Sequence, residues 1–341
     1  MGDLNDGLGG GLDGGKELRG GGADTSDRAP SDGRARALAF FAEQSRLTDP
    51  GAQAGLLDGL PRDLPSLCEV VRGLILHPLT AHLYGVRVPE SRLGEQDTRG
   101  VEAILARIKE LDGAPLTTPR PPERRFVGCC RDFSTLLCAL LRHQGVPARP
   151  RAGCARYFSP ELGVDHWVCQ YWGQDEGSAS RQGRWVLVDA ELDETHRAAY
   201  GIAFDPHDVP RDAFLVAGEA WRRCRSGVAD PAAFGVAPES SLRGWPYLQS
   251  QLVRDFASLN KVELLCWDVW GLAYASQTLP GQVELALLDQ VATLSLSDEG
   301  RFAEMRRHYE GEPRLRVPAV ITSFSAAGGW RTPQEVTLWT P

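Results

Sequence analysis

Val127-Gly-Cys-Cys-Arg-Asp-Phe-Ser134, continued by Thr135-Leu-Leu-Cys-Ala-Leu-Leu-Arg-His143, reads as an amphipathic helix entered through a glycine and two cysteines. Phe133, Leu136, Leu137, Leu140 and Leu141 recur at intervals of three and four, which makes a buried stripe on one helix face. Gly145 and then Pro147 supply a C′ glycine and a stop signal. Cys130 falls in or just before the first turn. Free backbone N–H groups point there, and the positive end of the helix dipole favours a thiolate. A nucleophilic cysteine needs that setting, although a buried structural cysteine is the commoner occupant of such a place. Cys129 would point about 100° away on the helix and reads as packing or cap.

Downstream, short β-rich segments follow, over 152–158, 166–172 and 184–190. A helix followed by antiparallel strands is an α+β arrangement. Val164-Asp-His-Trp-Val-Cys-Gln-Tyr-Trp172 alternates like a strand, with His166, Val168, Gln170 and Trp172 on one face. Arg184-Trp-Val-Leu-Val-Asp189 reads as its hairpin partner. A hairpin symmetric about Gly177-Ser178 pairs Trp172 with Gly183, Val168 with Leu187 and His166 with Asp189. Directly opposed residues have Cβ atoms about 4.5–5.5 Å apart, within reach of a carboxylate–imidazole hydrogen bond. A lone strand histidine is otherwise most simply a half-buried packing residue, and an aspartate at a strand end a turn former. Glu191 and Asp193 continue the Asp189 face and compete with it for the third role.

A thiol, an imidazole and a carboxylate in one place have a defined use. The thiolate attacks an acyl carbon, the histidine manages the proton, and the aspartate fixes the imidazole tautomer. The three motifs, Gly-Cys-Cys-Arg-Asp-Phe-Ser with Leu-Leu-Arg-His-Gln-Gly-Val-Pro-Ala-Arg149, Asp-His-Trp-Val168 and Gly-Arg-Trp-Val-Leu-Val-Asp189, resemble in order the nucleophile helix, histidine strand and aspartate strand of bacterial transglutaminase-like proteins. Ser45-Arg-Leu-Thr-Asp-Pro-Gly51 resembles an upstream segment of one bacterial branch. The resemblance covers roughly residues 125–195. It implies a papain-like core and a triad of Cys130, His166 and Asp189. It also implies thiol-dependent acyl chemistry on an amide or thioester, with amide-forming transfer favoured. The same site could serve a cysteine amidohydrolase or peptidase, and the same fold a non-catalytic binding protein. Partners would be the acyl donor and, for transfer, an amine acceptor.

Composition bounds the rest. A chain of 341 residues with 42% hydrophobic and 24% charged residues buries a sizeable core. A net charge of −8 without a Lys/Arg-rich run disfavours nucleic acid. No apolar run is long enough for a bilayer; the best, 73–86, is short and broken by His77, Pro78 and His82. No basic region followed by an apolar one opens the chain, so a cytoplasmic protein with free thiols is expected. Basic residues are almost all arginine, with lysine only at 16, 109 and 261. That composition is expected of a GC-rich bacterial genome, and no mechanism is read in it. No Cys or His spacing suggests a metal or cofactor site. Arg149 and Arg151 read as structural, and Trp267 with Trp270 as core. The expected organisation is a glycine-rich disordered tail over 1–34, a helical region over 35–122, a catalytic core over 123–204 and a mainly helical extension over 205–341. Glycine makes up about a third of the first 33 residues, too few apolar side chains to offset chain entropy.

Overall fold

The computed structural model describes residues 28–174, 183–238, 240–274, 281–297, 299–326, 328–330 and 332–339. Its helices are α1 (Arg28–Ala42), α2 (Leu64–Leu74), α3 (Val101–Leu111), α4 (Cys130–His143), α5 (Glu194–Tyr200), α6 (Ala217–Arg225), α7 (Trp245–Leu259), α8 (Gln282–Ser295) and α9 (Phe302–Gly311). Its strands are β1 (Ile75–Leu76), β2 (Phe126–Val127), β3 (Ala148–Ala155), β4 (Gly163–Gln174), β5 (Gly183–Val188), β6 (Phe214–Val216), β7 (Phe234–Gly235), β8 (Asp268–Val269), β9 (Val320–Phe324) and β10 (Pro333–Thr337). The fold is α+β, with α4 packed on an antiparallel sheet. The first helix begins at Arg28, ahead of the Ala35 start read from the apolar pattern; residues 1–27 of the expected tail lie outside the described residues.

The central sheet runs β5-β4-β3-β6, and β7 pairs in parallel with one end of β4. Helix α4 ends as its sequence requires. Gly145 has φ of 77°, and its N–H bonds the Arg142 carbonyl. The turn is tight, and β3 already opens at Ala148. One face of the sheet receives the apolar side of α4, where Leu136, Leu137, Leu140 and Leu141 meet Ala148, Cys169, Val186 and Val188. The other face packs Val168, Leu187, Val209, Phe214 and Val216 together.

The β4–β5 register differs from the expected one. Trp172 lies opposite Trp185, Gln170 opposite Leu187 and Cys169 opposite Val188, so each residue is displaced by two along its partner strand. A shift of two leaves every side chain on its own face, which is why the apolar pattern did not distinguish the two registers. The turn at Gly177-Ser178 lies outside the described residues.

Strand β6 pairs with Gly153, Cys154 and Ala155, and among the described residues no other strand takes the rest of that edge of β3. Helix α7 covers it. Asp255 accepts the Ala152 N–H at 3.0 Å, and the Ser258 hydroxyl donates to the Pro150 carbonyl at 2.7 Å. Asp255 also receives two hydrogen bonds of 2.8 Å from Arg151, in a buried pair. The C-terminal helices thus seal an edge that would otherwise offer unpaired backbone groups. No helix of the described residues is long and apolar enough to cross a membrane.

Candidate active site

His166 and Asp189 meet. The His166 Nε2 lies 2.8 Å from Asp189 Oδ2, and both side chains are buried. They do so although β5 has already ended. The Asp189 N–H leaves the ladder for the Pro206 carbonyl, and the side chain reaches His166 diagonally rather than from directly opposite. Asp189 is held on both oxygens: Tyr157 donates its hydroxyl to Oδ2 at 2.5 Å, and the Glu191 N–H binds Oδ1 at 3.1 Å. Burial alone would raise the Asp189 pKa, but the His166 charge and these hydrogen bonds bring it below the usual carboxylate value. Burial alone would likewise lower His166, and the Asp189 charge and hydrogen bond outweigh it, so the imidazole is a stronger base than usual. With Nε2 turned to the carboxylate, Nδ1 is the nitrogen left for proton transfer.

The surroundings of His166 are aromatic. Tyr157, Phe158 and Phe214 meet its ring edge-on at centroid distances of 6.0, 5.0 and 6.3 Å. Burial, then the Asp189 charge, pushes the Tyr157 phenol well above its ordinary pKa, so it stays a donor. Sequence reasoning missed Tyr157. It follows the last residue of β3 by two, and nothing in its local pattern marks it; an aromatic pair at a strand end facing a histidine strand was the available hint. Gly153, opposite His166, must be glycine, because a Cβ there would overlap the Leu215 carbonyl of β6.

Cys130 sits at the first position of α4, in a small buried cluster with Ala152 and Trp167. Its thiolate form lies near enough to Tyr157 to add to the upward push on that phenol. Among the described residues, however, no hydrogen bond joins Cys130 to His166. The Cys130 sulfur bonds instead to Cys129 and Cys266, and those two contacts together with burial push its pKa well up rather than down. The helix terminus therefore does not keep Cys130 ionised in this arrangement. Nor does Cys129 point away. It is the N-cap, with extended backbone at φ −110° and ψ 177°, so the 100° helical step does not apply to it. Its N–H is taken by the Asp132 carboxylate at 2.8 Å.

The three sulfurs share their protons. Hydrogen bonds from Cys129 and Cys130 bring Cys266 down to about 6 against the pull of burial. The first thiolate among the three is thus on Cys266, which is also the most exposed of them. In chelator-treated protein at mildly acidic pH, iodoacetamide should modify Cys266 before any other cysteine; Cys68, pushed by burial to about 12, should be among the slow ones. Peptide mapping after brief labelling checks this, and modification of Cys130 ahead of Cys266 would return the thiolate to the helix terminus.

The two competing carboxylates have other places. Glu191 is buried beyond the end of β5, 3.9 Å from the His196 Nε2, and its charge adds to the upward shift of His166. Asp193 is no strand residue: it caps α5, accepting the His196 N–H at 2.9 Å and the Tyr84 hydroxyl at 2.7 Å. Arg149 stacks on Trp185 with its guanidinium 3.9 Å from the ring centre and donates to Gln170 at 2.8 Å. Trp270 is buried and donates to the Leu315 carbonyl.

A helix N-terminal thiol set over a sheet that carries a histidine–carboxylate pair defines a papain-like α+β layout. Residues 111–190, a stretch that holds Cys130, His166 and Asp189 and is under a quarter of the chain, match the model of the transglutaminase-like superfamily. This segment belongs to that superfamily. Among solved structures, the chain is similar to a protein from Cytophaga hutchinsonii described as a candidate cysteine protease, at 17% identity and a TM-score of 0.29, over 52% of this chain and 45% of that one. The chain thus spans less than half the length of that structure. No curated protein matches it.

Proposed function

We propose that the protein catalyses thiol-dependent acyl transfer on an amide or thioester, with Cys130 as nucleophile, His166 as base and acid, and Asp189 as the group that orients the imidazole. The observation that carries this reading is the enclosed His166–Asp189 hydrogen bond of 2.8 Å, which leaves Nδ1 free on a sheet that also packs the Cys130 helix. In the first step the Cys130 side chain turns from its neighbouring sulfurs, gives its proton to His166 Nδ1 and attacks the acyl carbon. The tetrahedral oxyanion needs donors, and two are at hand. One is the N–H of Cys130 in the first turn of α4. The other is the Trp167 indole N–H, which is buried in the Cys130 cluster with no hydrogen-bond partner among the described residues. Collapse expels the amine or thiol, which takes the proton from His166, and leaves a thioester on Cys130. An incoming amine then gives its proton to His166 and receives the acyl group.

Hydrolysis differs only in that water takes the place of the amine. Burial of all three groups supports transfer, because a site poor in water lets a bound amine compete with it. The test is intact-mass spectrometry of the protein after exposure to an extract or to a panel of amide and thioester donors. One adduct per chain should appear, map to Cys130, be absent from Cys130→Ala, and discharge faster when a primary amine is added. Adducts that persist in Cys130→Ala would overturn the nucleophile, and discharge indifferent to amines would convert the assignment to a hydrolase.

A further inference from the structure

We infer that Cys129, Cys130 and Cys266 form a three-thiolate site for one thiophilic d10 cation of the Zn2+ type, and that its occupancy masks the nucleophile. The three sulfurs lie within 4.8 Å of one another. Zinc–thiolate bonds are about 2.3 Å, so three sulfurs on one tetrahedral ion stand roughly 3.8 Å apart. Closing the observed triangle on an ion therefore takes side-chain movements of about an ångström or less. Soft sulfur donors select Zn2+ or Cu+ over the hard cations.

The triangle is built by contacts that do not themselves involve sulfur. Two of its members are consecutive residues at the start of α4. The third comes from the loop between α7 and β8, which is fastened on both sides of Cys266. Glu263 pairs with Arg142, the Leu265 N–H binds Asp268 at 3.1 Å, and the Trp267 indole donates to Asp97 at 3.0 Å. Arg131, the residue after Cys130, donates to the Glu263 carbonyl at 3.0 Å and ties helix and loop together. Two separate pieces of backbone, the start of α4 and the loop before β8, thus hold three thiols around one point.

Electrostatics suit a cation with three thiolates. Such a centre carries a net charge of −1, and each thiol that enters it neutral releases one proton. The N-terminus of α4, where Cys129 and Cys130 stand, adds positive potential. A disulfide would use two sulfurs and leave the third excluded. A bond between the adjacent Cys129 and Cys130 would also close a strained eight-membered ring. A single shared ion uses all three.

The masking role rests on Cys130 being the nucleophile; the binding itself does not. The fully reduced, chelator-treated full-length protein is titrated anaerobically with Cd2+, followed by its thiolate-to-metal charge-transfer absorbance, and with Zn2+ followed by native mass spectrometry. One ion per chain is expected, and X-ray absorption at the zinc edge should count three sulfurs. Loss of outer-shell partners already costs about 10–100-fold in metal affinity, so loss of a ligand in Cys266→Ser should cost more than about 100-fold. Cys224→Ser should change nothing. His166→Asn should keep metal binding whatever it does to acyl chemistry, which separates this proposal from the triad. Zinc should suppress acyl-adduct formation by the wild type in proportion to occupancy. Binding unchanged in Cys266→Ser, or a wild-type zinc centre with fewer than three sulfurs, overturns the site; the sulfur count decides the matter even if that variant does not fold. Full adduct formation by the zinc-loaded protein overturns the masking.

Discussion

Asp189→Asn should slow acyl-adduct formation by about 10⁴, the size of the equivalent loss in serine-protease triads. The amide keeps the shape of the carboxylate, but it can present an N–H to His166 Nε2 where an acceptor is required. The imidazole then turns its proton to Nδ1, the nitrogen that has to accept one. Folding should suffer far less, because the Glu191 N–H can still bond the amide oxygen and the Tyr157 hydroxyl can rotate to accept from the amide N–H. The pair also predicts a pH signature. Asp189 has a depressed pKa in the folded protein, so its contribution to stability is present above the unfolded value of about 3.9 and is lost as pH falls through the lower folded value. His166 has a raised pKa, so its contribution is complete below the unfolded value of about 6.5 and is lost as pH rises through the higher folded value. The stability gap between wild type and Asp189→Asn should therefore be widest from about pH 4 to 6.5 and shrink on both sides. Urea midpoints across that range measure it. A gap flat with pH, or an adduct rate within tenfold of wild type, would remove Asp189 from the orienting role. Asp193→Asn is the control: it weakens a helix cap and should leave the adduct rate near wild type.

Much of this site was legible because it is written in local periodicity. The α4 boundaries follow from a leucine stripe and a glycine stop, and the faces of β4 and β5 from alternation. The His166–Asp189 contact was anticipated from a register that proved wrong by two residues, and it survived for a physical reason. Faces repeat every two residues, and a carboxylate on the right face can reach diagonally. What could not be read was whatever depends on long-range packing. Asp193 looks like a continuing strand residue until α5 is known to start beside it. Cys266 has no motif around it, and its place against Cys130 is set by Glu263, Asp268 and Asp97 acting on distant elements. The same blindness explains the misjudged thiol. A helix terminus argues for a thiolate at Cys130, but hydrogen bonds with Cys129 and Cys266, together with burial, push its pKa up.

Glu263→Gln should destabilise the protein by about 3–5 kcal/mol, the cost of leaving one partner of a buried ion pair uncompensated. Glu263 and Arg142 have no exposed side-chain surface, and their charged atoms meet at 3.1 Å. The other carboxylate oxygen accepts the Ser45 hydroxyl at 2.7 Å, and Arg142 also donates to the Thr48 hydroxyl and the Ala148 carbonyl. The pair therefore joins the segment after α1, helix α4, the start of β3 and the Cys266 loop. Glutamine can keep some hydrogen bonds but not the charge, and Arg142 has nowhere to take its own charge except into water by local opening. The urea midpoint should fall at an unchanged denaturant slope. Removing both charges in Arg142→Leu/Glu263→Leu should recover part of the loss, since an apolar pair of similar volume often replaces a buried ion pair at little cost. The half-exposed pair of Arg225 and Asp289 provides the contrast, because breaking it should cost about 1 kcal/mol or less. A Glu263→Gln protein as stable as that surface control would mean that Arg142 is already solvated and that the loop is held by something else. If the loss is as expected, preferential labelling of Cys266 should weaken along with stability, because the loop that presents its sulfur to Cys129 and Cys130 hangs on the same carboxylate.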